Sequence, residues 1–381
     1  MGEWREGYFS EIADIIMGQS PKGEFCNSIG SGVPLLNGPT EFGIKFPTPI
    51  QYTTEVKKAS NINDILFCVR GSTTGRMNWS NIEYAIGRGL ASIRHKKGEA
   101  YRYFLKGILD FNLPNLLSSA TGSTFPNVSR SQLEELKILI PPLKEQKAIA
   151  QVLSSLDDKI DLLHRQNKTL EEMAQTLFRQ WFIEEAKDEW EDVELGSVIE
   201  TTSGSTPSRK NMAYYDDGKY AWVKSKELNG SFLIDTEEKI TEEALQQSSA
   251  KLLPENSILI AMYGATVGKY TIISKQMTCN QAICALKPNE NYPYTFLYMY
   301  VKNYKDEIIN MAVGSAQQNI SQLLIKQLPI CSDIKLISKF HTEVEPLFQK
   351  IKSNIKQVKT LENMRDTLLP KLMSGEVRVK L

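Results

Sequence analysis

The sequence predicts an α+β protein with two similar strand-rich domains that also contain some helix. Two long helices separate the domains and pair as an antiparallel coiled coil, so that the chain forms an internal pseudo-twofold repeat. Three observations predict this class: a tandem duplication, helical periodicity at the end of each copy, and opposite charge on the two helical segments. The predicted boundaries are 1–142 for the first domain, 143–186 for the first helix, 187–332 for the second domain, and 333–381 for the second helix with a C-terminal tail.

The duplication is clearest in two glycine-containing segments. RGSTTGRM (70–77) and YGATVGKY (263–270) align at an offset of 193, as do the preceding stretches NDILFCVR and NSILIAMY. Further on, TGSTFPNVS (121–129) matches VGSAQQNIS (313–321) at an offset of 192, and GQSP (18–21) and GSTP (204–207) open the two copies as matched turns. Short apolar runs such as ILFCV and SILIAM, bounded by turn residues, are typical of buried strands. Each copy is therefore expected to be one unit of fold.

The segment YGATVGKY also raises the question of a phosphate-binding loop, which has four residues between its glycines and a Ser or Thr after the Lys. Here three residues separate Gly264 from Gly268, and Tyr270 follows the lysine. A tyrosine does not supply the hydroxyl that holds Mg²⁺ in that motif. We therefore interpret the glycines as hairpin positions, where glycine tolerates positive φ at low cost.

After the strand-like part of each copy, apolar residues recur at spacings of three and four, which predicts a heptad seam. Each seam contains an asparagine, the residue type that fixes register in coiled coils. The first seam contains Ile149, Leu153, Leu156, Ile160, Leu163, Asn167, Leu170, Ala174, Leu177 and Trp181. The second contains Ile337, Phe340, Val344, Leu347, Ile351, Asn354, Val358, Leu361, Arg365 and Leu368.

The charges of the two helical segments favour pairing with each other. Residues 144–191 contain seven Lys/Arg and eleven Asp/Glu, whereas residues 333–375 contain eight Lys/Arg and five Asp/Glu. Each helix would therefore repel a copy of itself and attract the other. The alternative, in which each helix merely docks on its own domain, is less favoured because neither seam is wide enough for a full core face.

Composition excludes several classes of protein. The 381 residues include 45 Lys+Arg and 45 Asp+Glu, and no apolar run approaches the length of a membrane span. The N-terminal sequence MGEWREGYF lacks the order of a signal peptide, so a cytoplasmic protein is expected. Five separate cysteines and three scattered histidines do not form a metal-ligand set, so the cysteines are expected to be reduced core residues.

Basic residues, interleaved with aromatic ones in the second copy, make nucleic acid a candidate partner, although a charge cluster is also typical of a plain solvated surface. Residues 70–97 contain six Lys/Arg and one Glu. Arginine and lysine can contact phosphates or guanine edges, and aromatic rings can pack on sugars or thymine methyl groups. Arg76 and Lys269 occupy matching positions and are expected to contact phosphate, whereas Arg70/Tyr263 and Arg88/Gln281 are candidates for contacting different bases. The full candidate set is Arg70, Ser72, Thr73, Arg76, Arg88, Arg209, Lys224, Lys226, Tyr263, Thr266, Lys269 and Gln281.

The stretch IPPLKEQKAIAQVLSSLDDKI (140–160), preceded by GSTFPNVSRSQLEELKI, resembles the conserved region of specificity subunits of type I restriction-modification systems. The resemblance covers essentially the whole chain. It implies that the strand-rich domains are target-recognition domains, each contacting one half of a bipartite asymmetric site in double-stranded DNA. It also implies two methyltransferase subunits docked on the helices, with translocase-nuclease subunits added for restriction. No cofactor is expected in this chain, since the methyl donor and ATP would bind to the partner subunits.

The second copy departs from the family pattern. It has CSDIKLISKFHTEV where the first has PPLKEQKAIAQVL, which calls into question the docking of a second methyltransferase through the Pro-Pro and Glu-Gln positions. The chain also lacks the Asn/Asp-Pro-Pro-aromatic tetrapeptide that holds a flipped adenine, so it is expected to be non-catalytic. An acid-x-Lys triplet in DTEEK (235–239) is attributed to chance. Two alternatives remain open: a coiled-coil scaffold whose paired domains bind proteins, and a fused nuclease, for which no metal ligands can be assembled.

Overall fold

The computed structural model describes residues 3–118, 126–186, 192–312 and 319–380. The chain divides into two compact units: unit 1 is Met1–Asp161 with Thr360–Leu381, and unit 2 is Leu162–Lys359. Both boundaries fall inside long helices, so each unit contains one strand-rich domain and a segment of each helix. Parts of the matched segments 121–129 and 313–321 lie outside the described residues.

The strand-rich part of unit 1 alternates short strands with turns before its first long helix. Its elements are β1 (Arg5–Tyr8), α1 (Phe9–Ile12), β2 (Ala13–Met17), β3 (Cys26–Asn27), β4 (Val33–Leu36), β5 (Gln51–Thr53), β6 (Ala59–Ser60), β7 (Ile65–Cys68), β8 (Met77–Trp79), β9 (Tyr84–Ile86), β10 (Leu90–His95), α2 (Arg102–Ser118), α3 (Arg130–Glu134) and β11 (Lys137–Ile140). The long helix α4 (Leu143–Arg179) follows.

Two sheets form the core of unit 1. One has the order β2-β10-β7-β8, and the other has the order β3-β5-β4-β9-β6 with a parallel β4–β9 pair. All four residues of β7 are buried, which confirms the strand predicted from the apolar run ILFCV. A small sheet pairs β1 with β11 in antiparallel register and so joins the start of the chain to the segment before α4.

Unit 2 repeats this order. A π-helical turn at residues 180–184 ends α4. The remaining elements are β12 (Asp192–Glu194), α5 (Leu195–Val198), β13 (Glu200–Ser203), β14 (Tyr220–Val223), β15 (Phe232–Leu233), β16 (Lys239–Ile240), α6 (Glu242–Gln247), β17 (Ile258–Ala261), β18 (Tyr270–Ile273), β19 (Thr278–Cys279), β20 (Ile283–Lys287), α7 (Tyr294–Asn303), α8 (Lys305–Asn310), α9 (Gln322–Lys326), β21 (Pro329–Cys331) and α10 (Ile334–Met373).

The central strands of the unit 2 sheets match those of unit 1. The order β13-β20-β17-β18 corresponds to β2-β10-β7-β8, and β15 extends its edge. The parallel pair β14–β19 corresponds to β4–β9. Strands β7 and β17 lie 193 residues apart and hold the same place in their sheets, which confirms the internal repeat.

The repeat extends to the helix caps. Ser129 precedes α3 and its hydroxyl accepts a hydrogen bond from the backbone N–H of Gln132 at 3.2 Å. Ser321 precedes α9 and accepts from the N–H of Leu324 at 3.2 Å. A serine N-cap satisfies one of the amide donors that the first turn of a helix leaves unpaired. The same cap at the same place explains the matched NVS and NIS tripeptides.

The segments of α4 and α10 run antiparallel in each unit. In unit 1, Asp157 accepts a hydrogen bond from the Arg365 guanidinium at 3.0 Å, and Leu153 and Leu369 line the same small cavity. In unit 2, the pairs advance in the opposite sense along the two helices, from Asn167–Asn354 at 2.9 Å to Phe178–Phe340 with ring centroids 5.7 Å apart.

The helices also dock on the domain of their own unit, which corrects the expectation that their apolar faces are too narrow for this. Phe178 and Phe348, each next to a predicted seam residue, are almost fully buried in the same hydrophobic core as α7. The ring of Phe178 lies 5.7 Å from that of Phe296 in α7. Because an α-helix has 3.6 residues per turn, a straight seam drifts around the helix and its buried face widens. Pairing and docking therefore occur together.

The cysteines of the chain are free thiols. Cys68, Cys279 and Cys284 are buried, and Cys26 and Cys331 are half-buried. Burial raises the pKa of the Cys279 and Cys284 thiols to about 12, so both are protonated at neutral pH. Within the described residues, no helix is both long and apolar enough to cross a membrane.

Candidate nucleic-acid interface

The predicted contact residues of unit 1 lie first on the turn between β7 and β8. Gly71 and Gly75 adopt positive φ values of 95° and 91°, which favour glycine. A Cβ atom at Gly75 would lie 2.5 Å from Leu113, so this position also needs glycine for space. The Thr74 hydroxyl bonds to the carbonyl oxygen of Gly71 at 2.8 Å and closes the turn. The exposed residues of the turn include Arg70, Ser72, Thr73 and Arg76.

The turn between β17 and β18 in unit 2 has the same construction. Gly264 and Gly268 have φ values of 67° and 76°, and a Cβ atom at Gly268 would lie 2.5 Å from Ile309. Thr266 donates a hydrogen bond to the carbonyl of Tyr263 at 3.1 Å. Because a strand follows the turn instead of a helix N-terminus, the segment is a hairpin, as the sequence predicts, and not a phosphate-binding loop.

Two further turns lie beside the hairpin in unit 1. The backbone N–H of Val69 donates to the carbonyl of Gly89 at 2.9 Å, and the N–H of Gly18 donates to the carbonyl of Leu90 at 2.9 Å. These bonds bring residues 18–21, 70–76 and 86–89 together at one end of the β2-β10-β7-β8 sheet. We call these three segments turn surface 1.

Arg88 stands in the most constrained part of turn surface 1. Its backbone N–H donates to the Ser20 hydroxyl at 3.2 Å. The glycines on either side of it are packed against Asn37: a Cβ atom at Gly87 would lie 2.2 Å from the Asn37 side-chain oxygen, and one at Gly89 would lie 2.3 Å from its backbone oxygen. Ser20 and Asn37 were not among the contact residues predicted from the sequence, although Ser20 lies in the matched GQSP turn.

The equivalent turns of unit 2 make equivalent backbone bonds. The N–H of Met262 donates to the carbonyl of Ala282 at 2.8 Å, and the N–H of Gly204 donates to that of Ile283 at 3.3 Å. Residues 204–207, 263–269 and 279–282 therefore form turn surface 2. Here Gln281 takes the place of Arg88, and its side-chain oxygen accepts a hydrogen bond from the Thr206 hydroxyl.

Several predicted cations of unit 1 bond to the protein itself. Arg76 donates to the carbonyl oxygens of Pro39 at 3.2 Å and Phe42 at 2.9 Å. Arg94 forms an ion pair with the buried Asp64 at 2.7 Å. The charge of Arg94 is therefore also paired within the protein, although it was counted in the basic cluster of residues 70–97. The guanidinium groups of Arg70 and Arg88 have no ion-pair partner among the described residues, and both side chains are exposed.

The basic cluster of unit 2 differs most from the expectation. Arg209 and Lys224 both form ion pairs with Glu238, at 2.6 and 2.7 Å. Lys226 and Lys224 pair with Glu237 at 2.7 and 3.1 Å. The Lys224 ammonium holds the pKa of Glu238 below its usual value, and Glu238 in turn raises the pKa of Lys224. Arg209, Lys224 and Lys226 are therefore all paired with neighbouring carboxylates, which counting basic residues in the sequence did not reveal.

Arg209 also contacts two aromatic side chains of unit 2. Its guanidinium lies 4.2 Å from the ring centroid of Tyr215 and 5.0 Å from that of Trp222. Such cation–π contacts stabilise a folded loop without any ligand. Lys269, by contrast, is exposed at the hairpin of turn surface 2 and forms no ion pair among the described residues.

The Glu-Gln pair of the PPLKEQ motif is buried, so it cannot be the docking surface that the resemblance suggested. Glu145 accepts hydrogen bonds from Arg378 at 2.6 Å and from the indole of Trp4 at 3.1 Å. Arg378 lowers the pKa of Glu145 through this bond. Gln146 bonds to the ring of the buried His95 at 3.0 Å and to the carbonyl of Pro141 at 2.8 Å. The Glu-Gln pair therefore joins α4 to its own unit, and the second copy lacks this internal contact.

The predicted helix-interface residues divide between the two units. The segments of unit 1 contain Leu153, Leu156, Ile160, Leu361 and Leu368. Those of unit 2 contain Leu163, Asn167, Leu170, Leu177, Trp181, Val344, Leu347, Ile351, Asn354 and Val358. Most are buried or half-buried, and the Asn354 amide donates to the Asn167 side-chain oxygen at 2.9 Å. Asn354 is buried and Asn167 is half-buried, so this bond satisfies part of a polar pair that would be costly to bury without a partner.

The described residues contain no group of three or more His, Cys, Asp or Glu side chains placed to hold a metal ion. A cavity of about 650 Å³ in unit 1 is lined by Tyr8, Phe111, Leu139 and Met373 among others, away from turn surface 1. What turn surfaces 1 and 2 can do is form hydrogen bonds and charge contacts with an extended polar partner.

The fold thus defines a duplicated α+β protein. Each unit has an equivalent turn surface at the end of a sheet and contains a pair of antiparallel helix segments. The chain belongs to the type I restriction modification DNA specificity domain family, whose model matches residues 1–172 and 187–331. A specificity subunit of the type I restriction enzyme MjaIX from Methanocaldococcus jannaschii is 33% identical over 281 residues, which are 68% of this chain and 65% of that protein. The specificity subunit of the HindI enzyme from Haemophilus influenzae is 24% identical over 341 residues, 69% of this chain and 73% of that protein.

Among solved structures, the chain resembles the S subunit of a type I restriction-modification system from Mycoplasma genitalium. The TM-score is 0.63 at 21% sequence identity, and the match covers 97% of this chain and 96% of that one. This likeness shows that the two proteins share a fold. The matched region spans 65% of the length of the MjaIX subunit, which is slightly less than two thirds. It spans 38% of the length of a putative MjaX specificity subunit from the same organism.

Proposed function

We propose that this chain is the DNA-sequence specificity subunit of a type I restriction-modification complex, and that each turn surface contacts one half of a bipartite asymmetric site in double-stranded DNA. One observation carries the proposal: the two surfaces share their backbone hydrogen bonds but present different exposed side chains. Arg70 is replaced by Tyr263, and Arg88 by Gln281. Base identity is distinguished by side-chain groups at base edges, so one backbone with two sets of side chains suits two different half-sites.

The charge distribution fits a protein that does not bind DNA alone. The chain is neutral, and unit 2 pairs three of its candidate cations with glutamates. Binding to DNA draws most of its free energy from cations that displace counterions from phosphates. Arg70, Arg88 and Lys269 supply part of this contact, and partner subunits supply the rest.

The proposed partners are two methyltransferase subunits and the translocase-nuclease subunits that restriction requires. Exposed apolar residues on the long helices, Leu162 and Met173 on α4 and Met364 on α10, suit the docking of methyltransferase helices. In this proposal the chain is non-catalytic and cytoplasmic, and the methyl donor and ATP bind to the partners. The specificity-subunit names of the relatives support the proposed role in a type I restriction-modification complex.

A gel-shift experiment separates this proposal from the alternative of a scaffold that binds proteins. The chain is purified with its methyltransferase and mixed with a pool of random duplexes, and the retained DNA is sequenced. We expect enrichment of one motif with two specified parts and an unspecified gap. A complex that retains DNA without enriching any motif would favour the scaffold.

Methylation mapping then assigns the halves. Residues 187–332 are replaced by the matching domain of a relative, and methylated adenines are mapped in cells that carry the variant complex. Because each unit has its own core, one half of the motif should change while the other stays the same. Simultaneous change of both halves would contradict independent contact by the two units.

A further inference from the structure

The pair Arg88 and Gln281 offers an unusually direct comparison of two contact residues. Each follows one residue that donates its backbone N–H to a strand end: Gly87 to Leu36 at 2.8 Å, and Asn280 to Val223 at 3.0 Å. Each also precedes a residue whose carbonyl accepts from the hairpin: Gly89 from Val69, and Ala282 from Met262. Both side chains are exposed. The two residues thus stand at the same backbone position of the two units, and only their chemistry differs.

The neighbouring hydroxyl acts differently in the two units. In turn surface 1, Ser20 accepts from the backbone N–H of Arg88 and does not bond to its guanidinium, which carries five N–H donors. In turn surface 2, Thr206 donates to the side-chain oxygen of Gln281. This bond orients the amide: the NH₂ group stays available as a donor, and the oxygen keeps its second lone pair as an acceptor.

We propose that Arg88 specifies a guanine in the half-site contacted by unit 1 and that Gln281 specifies an adenine at the matching place in the half-site contacted by unit 2. This inference rests on the proposed function and names the bases that the same surfaces select. Arginine donates two hydrogen bonds to O6 and N7 of guanine, whereas a glutamine amide donates to N7 of adenine and accepts from its N6 amino group. Thr206 holds Gln281 in the orientation that the second pattern needs.

The surroundings of Arg88 favour base contact over a loose phosphate contact. A Cβ atom at Gly87 or Gly89 would clash with Asn37, so the backbone of the turn passes close to that residue. The backbone N–H of Arg88 is also bonded to the Ser20 hydroxyl. A side chain on a backbone held in this way loses less freedom when it binds in one orientation, and specific pairing depends on that orientation. Lys269 carries its charge at the end of a flexible stem and suits the less directional contact with phosphate.

The test is methylation mapping of single variants in the complete complex of this chain with its methyltransferase. Arg88→Ala should reduce discrimination at one guanine of one half-site by roughly 5- to 150-fold, the usual range for losing a bidentate base contact. Gln281→Ala should do the same at one adenine of the other half-site. In both variants, every other specified position should stay as it is in the wild type.

Two further variants separate base contact from phosphate contact. Arg88→Lys keeps the charge but loses the planar pair of donors. It should therefore methylate DNA at the wild-type overall level but discriminate as poorly as Arg88→Ala at the guanine. If Arg88 only contacts phosphate, Arg88→Lys behaves as wild type and Arg88→Ala weakens all sites evenly, which overturns the inference. Gln281→Asn shortens the amide by one methylene and should relax the same adenine as Gln281→Ala.

Matched controls come from the far ends of the same strands. Lys97 and Asn291 are exposed, and each lies beyond the end of β10 or β20 that is opposite to the turn surface. Lys97→Ala and Asn291→Ala should leave the motif unchanged. Thermal unfolding of each variant checks that the fold is retained, and where Arg88→Ala or Gln281→Ala fails to fold, the outcome is decided by Arg88→Lys or Gln281→Asn.

Different results would overturn the proposed function and the base assignment. A wild-type complex that methylates no bipartite motif would overturn the proposed function. A wild-type motif without guanine in the half altered by the Arg88 variants, or without adenine in the half altered by the Gln281 variants, would overturn the base assignment alone. Unchanged discrimination in Arg88→Ala and Gln281→Ala would do the same.

Discussion

Unit 1 and unit 2 share the central strands of their sheets and the same turns, but they differ in how many of their candidate cations are paired with carboxylates. In unit 1, Arg70 and Arg88 are exposed and have no ion-pair partner among the residues that the structure describes. In unit 2, Arg209, Lys224 and Lys226 are all paired with Glu237 or Glu238. A surface pair contributes little to stability, but it removes charge that would otherwise attract phosphate.

This difference shows how duplicated domains diverge. The backbone bonds that hold the turns are retained, because losing one would leave a buried amide or carbonyl unpaired. Exposed side chains carry no such penalty and are free to differ. At the two differing positions, unit 1 presents Arg70 and Arg88, and unit 2 presents the phenol of Tyr263 and the amide of Gln281. We therefore expect a contact of unit 2 with DNA at these positions to depend more on directional hydrogen bonds and less on charge.

We expect the largest change in stability from the aromatic packing that attaches the long helices to the core of unit 2. Phe178 packs between Phe296 and Phe340, whereas the matching region of unit 1 relies on aliphatic residues such as Leu153 and Leu369. Phe178→Ala should destabilise unit 2 by about 3–5 kcal/mol, the usual result of leaving a cavity in a core. Hydrogen exchange followed by mass spectrometry should show faster exchange in α7 and α10 peptides. Met173→Ala, on an exposed face of α4, should change stability by less than about 0.5 kcal/mol.

The difference in charge pairing between the units can be tested by removing the carboxylates that pair with the cations of unit 2. The double variant Glu237→Gln with Glu238→Gln leaves Arg209, Lys224 and Lys226 without their carboxylate partners. We expect stronger non-specific binding of the complex to DNA. The salt dependence should steepen, because each cation that reaches a phosphate changes the slope of log K against log salt by about 0.9.

The control for this experiment has the same change in net charge. Glu243 and Glu290 are exposed and form no ion pair among the described side chains. Glu243→Gln with Glu290→Gln should therefore leave the slope close to that of the wild type. Equal slopes for the two double variants would show that the ion pairs do not limit phosphate contact and that the comparison between the units is wrong.

A smaller effect distinguishes Arg76 from Lys269, which occupy matching positions. Arg76 donates to two carbonyl oxygens of the 39–42 segment, and Lys269 makes no such bond. Arg76→Ala should therefore cost unit 1 about 1 kcal/mol of stability in addition to any loss of DNA binding. Lys269→Ala should lower DNA affinity without a measurable shift in the urea midpoint. A shift of the midpoint in Lys269→Ala alone would reverse the roles assigned here.

The smallest effect concerns pH and is confined to unit 1. The ring of His95 accepts at Nδ1 from the N–H of Lys97 and bonds through Nε2 to Gln146, so both nitrogens are used in the neutral form. Burial lowers the pKa of His95 below its usual value, and the nearby Lys97 adds to this, whereas Gln146 and Asp14 oppose it. The neutral ring is thus the form that the fold stabilises.

The sign of the pH effect follows from that shift. Because the unfolded chain binds the proton more readily, His95 contributes stability above its usual pKa, and this contribution is lost as the pH falls through the lower pKa of the folded state. Urea midpoints measured between about pH 5 and pH 7.5 should decline toward acid. His95→Gln should flatten this decline in unit 1. Unit 2 has Pro288 at the matching position and lacks this dependence.

The repeat, the strands and the long helices could be predicted because their signals are local or recur at a fixed offset. An apolar run such as residues 65–68 predicts a buried strand wherever it occurs, and glycines at 71 and 75 predict a turn because of their backbone freedom. The candidate contact residues at 70, 88, 263 and 281 lie on exposed turns because strand ends determine where turns fall. Their role in DNA contact stays a prediction.

Periodicity and turn chemistry act over a few residues, so the strands, turns and helices can be located from the amino-acid sequence. The pairing of charges and the burial of motif residues follow only from the folded chain. Glu238 meets Arg209 across 29 positions, and Glu145 meets Arg378 across 233. The width of the helix faces was also decided in this way, because Phe178 and Phe348 are buried by residues of α7 that are distant in the chain. Electrostatic and packing energies depend on distances in space, and separation along the chain does not specify them.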